Sequence, residues 1–263
     1  MASGTATRRK RAAEQARAAA PRQRPGSFRT VDRRLWVAGA FAVAVALAVA
    51  VGVVNALGGT SDPRTGATLP DATDSIAVVA GVSQNGLALG RPDAAVTLVE
   101  FVDMQCPFCR EFEVEALPTL VADHVRTGAL RIEVRGLEFI GPDSGRGLRA
   151  LLAAAGQNRL FELKALLFAN QGPENSGWLS QDLVEAAARS VPGLDVARLA
   201  DEMGSGAIAE RIGEHAAEAE RRGVDSTPTI FVGKTGGELR RVELTAPSDL
   251  AAIERAIAAA APA

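Results

Sequence analysis

The sequence predicts an α/β domain of order β-α-β, helical block, β-β-α, preceded by a single N-terminal membrane-spanning helix. Three observations carry that expectation. Val96–Val102 (VTLVEFV) is a near-continuous apolar run, as a strand buried on both faces requires. Residues 143–222 hold successive helical stretches, LFELKALLFA, LSQDLVEAAARS and IAERIGEHAAEAERR among them. Residues 35–54 (LWVAGAFAVAVALAVAVGVV) contain no charge.

Residues 1–34 carry ten Lys/Arg against two Asp/Glu and no sustained apolar face, and read as a disordered basic cytoplasmic tail. The uncharged stretch 35–57 reads as a transmembrane helix, since twenty residues at about 1.5 Å each cover roughly 30 Å of hydrocarbon. RRKR at 8–11 and the pair Arg33–Arg34 place the N-terminus in the cytoplasm, and Trp36 suits the interface. The competing reading is a cleaved signal peptide, with Val54, Asn55 and Ala56 as a weak processing site. Signal h-regions run to about 7–15 residues, shorter than this span. Either way the body is exported, where thiols can be held oxidised. Residues 58–75 (GGTSDPRTGATLPDATDS) read as a linker, and residues 76–263 as the folded domain, starting near Ile76 or Gly81. The chain's net charge is −2 although its tail is strongly basic. The body is therefore acidic, which argues against nucleic-acid binding.

Within the body, a helix is expected from Pro107 to about Arg126, with Val114, Leu117, Val121 and Val125 at helical spacing. Pro118 should kink it, because it lacks a donor and crowds the preceding turn. LRIEV (130–134) alternates as a half-covered strand does, and Ser180 is a credible N-cap. TPTIFV (227–232), GKTGG and ELRRVEL (238–244) read as a β-hairpin, followed by a helix from about Pro247 to Ala259.

The chain has two cysteines, Cys106 and Cys109, in VEFVDMQCPFCREFE. A disulfide stabilises most when it closes a long loop, so a bridge across two residues gains little. A zinc site commonly needs four ligands, and the two histidines, His124 and His215, lie far apart in predicted helices. Redox chemistry remains. Cys106 precedes Pro107, which suits the first helical position. Its sulfur would face free N–H groups and the positive end of the helix, lowering its pKa from about 8.5. Cys109, one turn inward and shielded, could displace whatever an exposed Cys106 captures. A lone CxxC is weak evidence; after a buried strand, opening a helix in an exported chain, it gains weight.

EFVDMQCPFCREF together with VDSTPTIFV resembles the membrane-anchored DsbA-like thiol–disulfide oxidoreductases of the thioredoxin superfamily, found in bacterial envelopes. The likeness covers roughly residues 76–263, and the tail and span lie outside it. It implies a thioredoxin fold with a helical insertion at about 143–222. It also implies Cys106 as nucleophile, Cys109 as resolving cysteine, and Pro107 and Phe108 as the dipeptide that tunes them. Thr227 and Pro228 match the cis-proline loop beside the sulfur, where an extended substrate would pair as an added strand. Glu100 matches the buried acid that exchanges protons with the resolving thiol. It is already odd as a residue, because a carboxylate among Val, Leu and Phe is costly unless neutral or paired. Burial would raise its pKa and suit it to act as a base towards Cys109; the bland alternative is a solvated edge.

Other neighbours have plainer readings. Asp103 suits a turn or strand end, and Met104 and Gln105 the rim of the site. Phe108 either meets substrates or packs on its own helix. His124 and His215 suit helix-surface or core positions, and Trp178 a helix junction. The Pro-Phe dipeptide lacks the histidine of the strongest oxidants of the family, and threonine before Pro228 also occurs in isomerases and reductases. The expected function is oxidation of cysteine pairs in exported proteins. Reoxidation would come from a quinone-linked membrane partner of the DsbB or vitamin K epoxide reductase type, with no bound cofactor or metal. An envelope reductase or isomerase, and a tethered non-enzymatic binding module, are the alternatives. Residues 58–80 are too short for the dimerisation domain of periplasmic isomerases.

Overall fold

The computed structural model describes residues 68–70 and 72–262. The predicted tail (1–34), the span (35–57) and most of the predicted linker therefore lie outside the described residues. Among the described residues no helix is long and apolar enough to cross a membrane.

The chain enters through a short helix, α1 (Ala72–Ala77), and then forms β1 (Gln84–Asn85), β2 (Ala88–Leu89) and β3 (Val96–Val102). Helix α1 opens inside the stretch read as linker, four residues before Ile76. Its composition hides it, since Ile76 is its chief apolar contact with the core. The sheet is completed by β4 (Leu130–Gly136), β5 (Thr229–Lys234) and β6 (Leu239–Arg241), in the order β1-β2-β4-β3-β5-β6. β3 and β4 run parallel, from Val96 opposite Leu130 to Val102 opposite Gly136; the other pairings are antiparallel. β3 is central and all seven of its residues are buried, as the unbroken apolar run predicts. β4 alternates buried and half-buried residues, as LRIEV predicts. The hairpin β5-β6 forms, but β6 keeps only three residues, and the segment leaves the sheet after Val242, whose N–H still donates to the Ile230 carbonyl at 2.8 Å.

Parallel strands need a crossover, and α2, over residues 107–125, supplies it. It alternates α turns (Pro107–Glu111, Leu117–Leu120) with wider π turns (Phe112–Ala116, Val121–Val125). The disturbance expected at Pro118 takes this form: the Leu117 N–H reaches back five residues to the Phe112 carbonyl. The wider turn also corrects the predicted core face. Leu117, Val121 and Val125 are buried, whereas Val114 is 46% exposed and Phe112, Glu113 and Ala116 point inward instead.

The helical block comprises α3 (Pro142–Ala155), α4 (Leu160–Ala169), α5 (Gln181–Ser190), α6 (Val196–Met203) and α7 (Gly206–Arg221). Ser180 caps α5 as predicted, its hydroxyl accepting from the Leu183 N–H at 3.2 Å. Helix α4 is apolar nearly all round and is buried accordingly. α7 docks on the end of β4 through His215, whose Nδ1 accepts from the Gly136 N–H at 3.2 Å. Burial and the nearby Arg135 push the His215 pKa down to about 4, so the ring is neutral at pH 7. His215 is thus a core residue and His124 a half-buried one. The last helix, α8 (Leu250–Ala260), starts at Asp249, whose carboxylate accepts from the Ala252 N–H.

Candidate active site

The sheet brings two distant segments together. Phe101 near the end of β3 pairs with Thr229 at the start of β5, so the loops before α2 and before β5 meet. Cys106 is the N-cap of α2, with extended backbone (φ −71°, ψ 118°) and Pro107 in the first turn. Its Sγ–H donates to the Thr227 carbonyl at 3.2 Å, across 121 positions of sequence, and the Thr227–Pro228 peptide bond is cis. Both cysteines are free thiols. Cys106 is not the exposed sulfur expected from sequence: the residue is only 4% exposed, because the helix turn and the Thr227 loop close over it. Pro107 and Phe108 flank it in the open, and Phe108, at 56% exposure, is the exposed apolar side chain of the two arrangements expected for it.

The two thiols are driven apart in acidity. The Cys109 thiol stabilises the Cys106 thiolate most; burial opposes this, and bonds from the Thr227 side chain and the Cys109 and Phe108 N–H groups support it. The Cys106 pKa falls to about 6. The Sγ–H bond to the Thr227 carbonyl favours the thiol, and these donors outweigh it. Cys109 is fully buried and its pKa is raised well above the ordinary value, by burial first and then by Cys106 and the Glu100 charge.

Glu100 is fully buried, which rules out the solvated-edge reading. Its partner is one that sequence reasoning missed. Lys164 on α4 places Nζ 2.5 Å from Glu100 Oε2 and 2.7 Å from Glu113 Oε2, within about 6 Å of the Phe112 and Phe168 rings. Burial lowers the Lys164 pKa, but the two carboxylates more than offset it and the ammonium stays charged. One cation cannot neutralise two acids. Burial therefore raises the Glu100 pKa despite Lys164, and Glu113 adds to the rise. Glu100 Oε1 has no hydrogen-bond partner among the described residues. A signal for Lys164 existed: a charge inside LKALLF, on a helix too apolar to face water, must find a counter-charge.

Met104 and Gln105 do not form the rim; both are buried. The Gln105 side chain accepts from the Asn175 N–H at 2.7 Å and donates to Ser144 Oγ at 3.1 Å. Asp103 is a turn residue, as expected, and does more. Its Oδ1 accepts from the Gln105 N–H, and its Oδ2 from the Phe139 and Ile140 N–H groups at 2.8 and 3.1 Å. Trp178 is half-buried against the core and lies close to Gly172, where a Cβ would meet its side chain at 2.6 Å. Among the described residues no group of three or more His, Cys, Asp or Glu could hold a metal ion.

A central β3, a CxxC opening α2 and a cis-proline loop against the first sulfur define a thioredoxin-fold thiol–disulfide oxidoreductase. The thioredoxin family model matches residues 82–257. The chain belongs to that family. It is 28% identical over 148 residues to the probable disulfide bond formation protein D of Bacillus cereus, which is 55% of this chain and 68% of the relative. Among solved structures it is similar to a thioredoxin-like oxidoreductase from Silicibacter pomeroyi (30% identity, TM-score 0.50, covering 70% of this chain and 96% of that one). It also shares the fold of oxidised BdbD from Bacillus subtilis (21% identity, TM-score 0.58, 68% and 96%).

Proposed function

We propose that the chain is an envelope protein that introduces disulfides into exported proteins through Cys106 and Cys109, tethered by the span at 35–57. The observation that supports this best is the split between the thiols, one acidic at a helix mouth and the other buried and held protonated. In the working cycle a substrate thiolate attacks Cys106 in the Cys106–Cys109 disulfide. The enzyme S–S bond breaks, a mixed disulfide forms, and Cys109 leaves. Glu100, whose raised pKa favours its protonated form, supplies the proton to Cys109. The substrate's second thiolate then attacks its own sulfur in the mixed disulfide and expels Cys106 as a thiolate. Two electrons have passed to the enzyme, and its acidic Cys106 is a good leaving group that stabilises the reduced state.

A quinone-linked membrane partner of the DsbB or vitamin K epoxide reductase type would withdraw those electrons and close the disulfide. Thr227 and Phe108 favour a second reading, an envelope reductase or isomerase running the same exchange in the opposite direction. A potential near −120 mV marks an oxidant and one near about −270 mV a thioredoxin-like reductant. Alkylation trapping in intact cells tests the direction. The Cys106–Cys109 pair is expected to be predominantly oxidised, and a predominantly reduced pair would overturn the oxidase reading.

A further inference from the structure

The helical block does more than cover the sheet, because it grips the backbone on both sides of the nucleophile. Gln171 lies two residues beyond the end of α4. Its Nε2 donates to the carbonyl oxygens of Met104 and Cys106, both at 3.1 Å. The Cys106 carbonyl also accepts the first N–H of the helix ladder, from Arg110 at 3.2 Å. The amide group has two N–H donors, and here they meet two acceptors. The flipped amide would set oxygen against oxygen, so the orientation is dictated by chemistry. The Gln171 backbone is itself held. Its N–H donates to the Phe168 carbonyl at 3.2 Å, and Arg110 Nε donates to the same oxygen at 3.1 Å.

We propose that Gln171 is a positioning residue for the Cys106 sulfur, fixing the Met104–Gln105 and Cys106–Pro107 peptide planes and drawing negative density from their two carbonyls. This rests on the reading of Cys106 as nucleophile. A carbonyl dipole whose oxygen lies near a forming thiolate opposes it, and an N–H on that oxygen weakens the opposition. The same two bonds keep the N-cap geometry that aims the Phe108 and Cys109 N–H groups at the sulfur. The ionisable groups that couple to Cys106 are Cys109 on α2 and Glu100 on β3. Neither is touched by Gln171.

The test is the pH dependence of iodoacetamide alkylation at Cys106 in the reduced full chain in detergent, with the adduct located by peptide mass. Gln171→Ala should raise the midpoint by roughly half to one pH unit, as the loss of one or two modest hydrogen bonds implies, and slow alkylation at pH 6 about two- to fivefold. Should that variant not fold, Gln171→Met is read in its place, since it keeps the volume and loses only the donors. Gln157→Ala removes a comparable amide clamp within the helical block, to Asp195, and should leave the profile unmoved. Profiles of the Gln171 variants that coincide with the wild type, or an equal shift in Gln157→Ala, overturn the assignment. A wild-type midpoint no lower than a free thiol's overturns the reading of Cys106 itself.

Discussion

Replacing Cys106 with serine reduces disulfide exchange to the uncatalysed background. A hydroxyl does not ionise near neutral pH and forms no mixed disulfide, so the loss should be on the order of 10³ or more. Cys109 cannot take over, because it is fully buried and its thiol is held protonated. The fold should survive, since serine fits the site and its hydroxyl can still donate to the Thr227 carbonyl. Oxidation of a fluorogenic dithiol peptide measures the effect. The same variant separates the enzyme from a tethered binding module, which would keep its partner affinity unchanged.

Lys164→Met should be the most destabilising single change near the site. The ammonium is fully buried and holds two acids that are themselves buried. Removing one partner of such a cluster costs about 3–5 kcal/mol. The pH dependence has a definite sign. Without the lysine, nothing offsets the burial that already raises the Glu100 pKa, so its folded value lies still further above the unfolded one of about 4.3. Such a group weakens the fold as pH rises past the unfolded pKa. Urea unfolding should therefore find the variant close to wild type near pH 4 and far weaker at pH 7.5. Glu100→Gln is the contrast. It leaves Lys164 paired with Glu113 in a balanced ion pair, so stability should change by no more than about 1 kcal/mol. Removing the proton donor for Cys109 should instead slow formation of the mixed disulfide, the step in which Cys109 leaves, about 10²-fold at pH 7. Equal destabilisation of both variants would contradict the charge count in the cluster.

What the sequence revealed divides along the range of the interactions. VTLVEFV and LRIEV announce two neighbouring strands because burial writes itself into local periodicity, and the Cys-Pro step announces a helix start for equally local reasons. Glu100 was legible because a carboxylate in an apolar run contradicts its surroundings. Its partner Lys164, 64 residues on, was not, although the same contradiction marks it. Nothing local says which buried charges will meet. Gln171 carries no contradiction at all, since a glutamine after a helix is ordinary, and only the fold sets it against Met104 and Cys106. β1 and β2 escaped notice because two residues hold no period, and Val114 was placed inward because π turns shift the helical count. The expected exposure of Cys106 failed for a tertiary reason as well: the Thr227 loop that covers it comes from the other half of the chain.

The central claim is that Cys106 alone exchanges with substrate and that Cys109 is its disulfide partner, so that in the reverse of the proposed cycle Cys109 displaces what Cys106 has captured. The direct measurement uses the reduced Cys109→Ser variant and a peptide disulfide. The Cys106 thiolate should attack the peptide S–S bond, expel one peptide thiolate and remain joined to the other peptide sulfur. Mass mapping should find a long-lived adduct on Cys106, and the wild type should release it within the mixing time. No adduct on Cys106 in the variant, or an adduct on Cys109 in the wild type, would contradict the account.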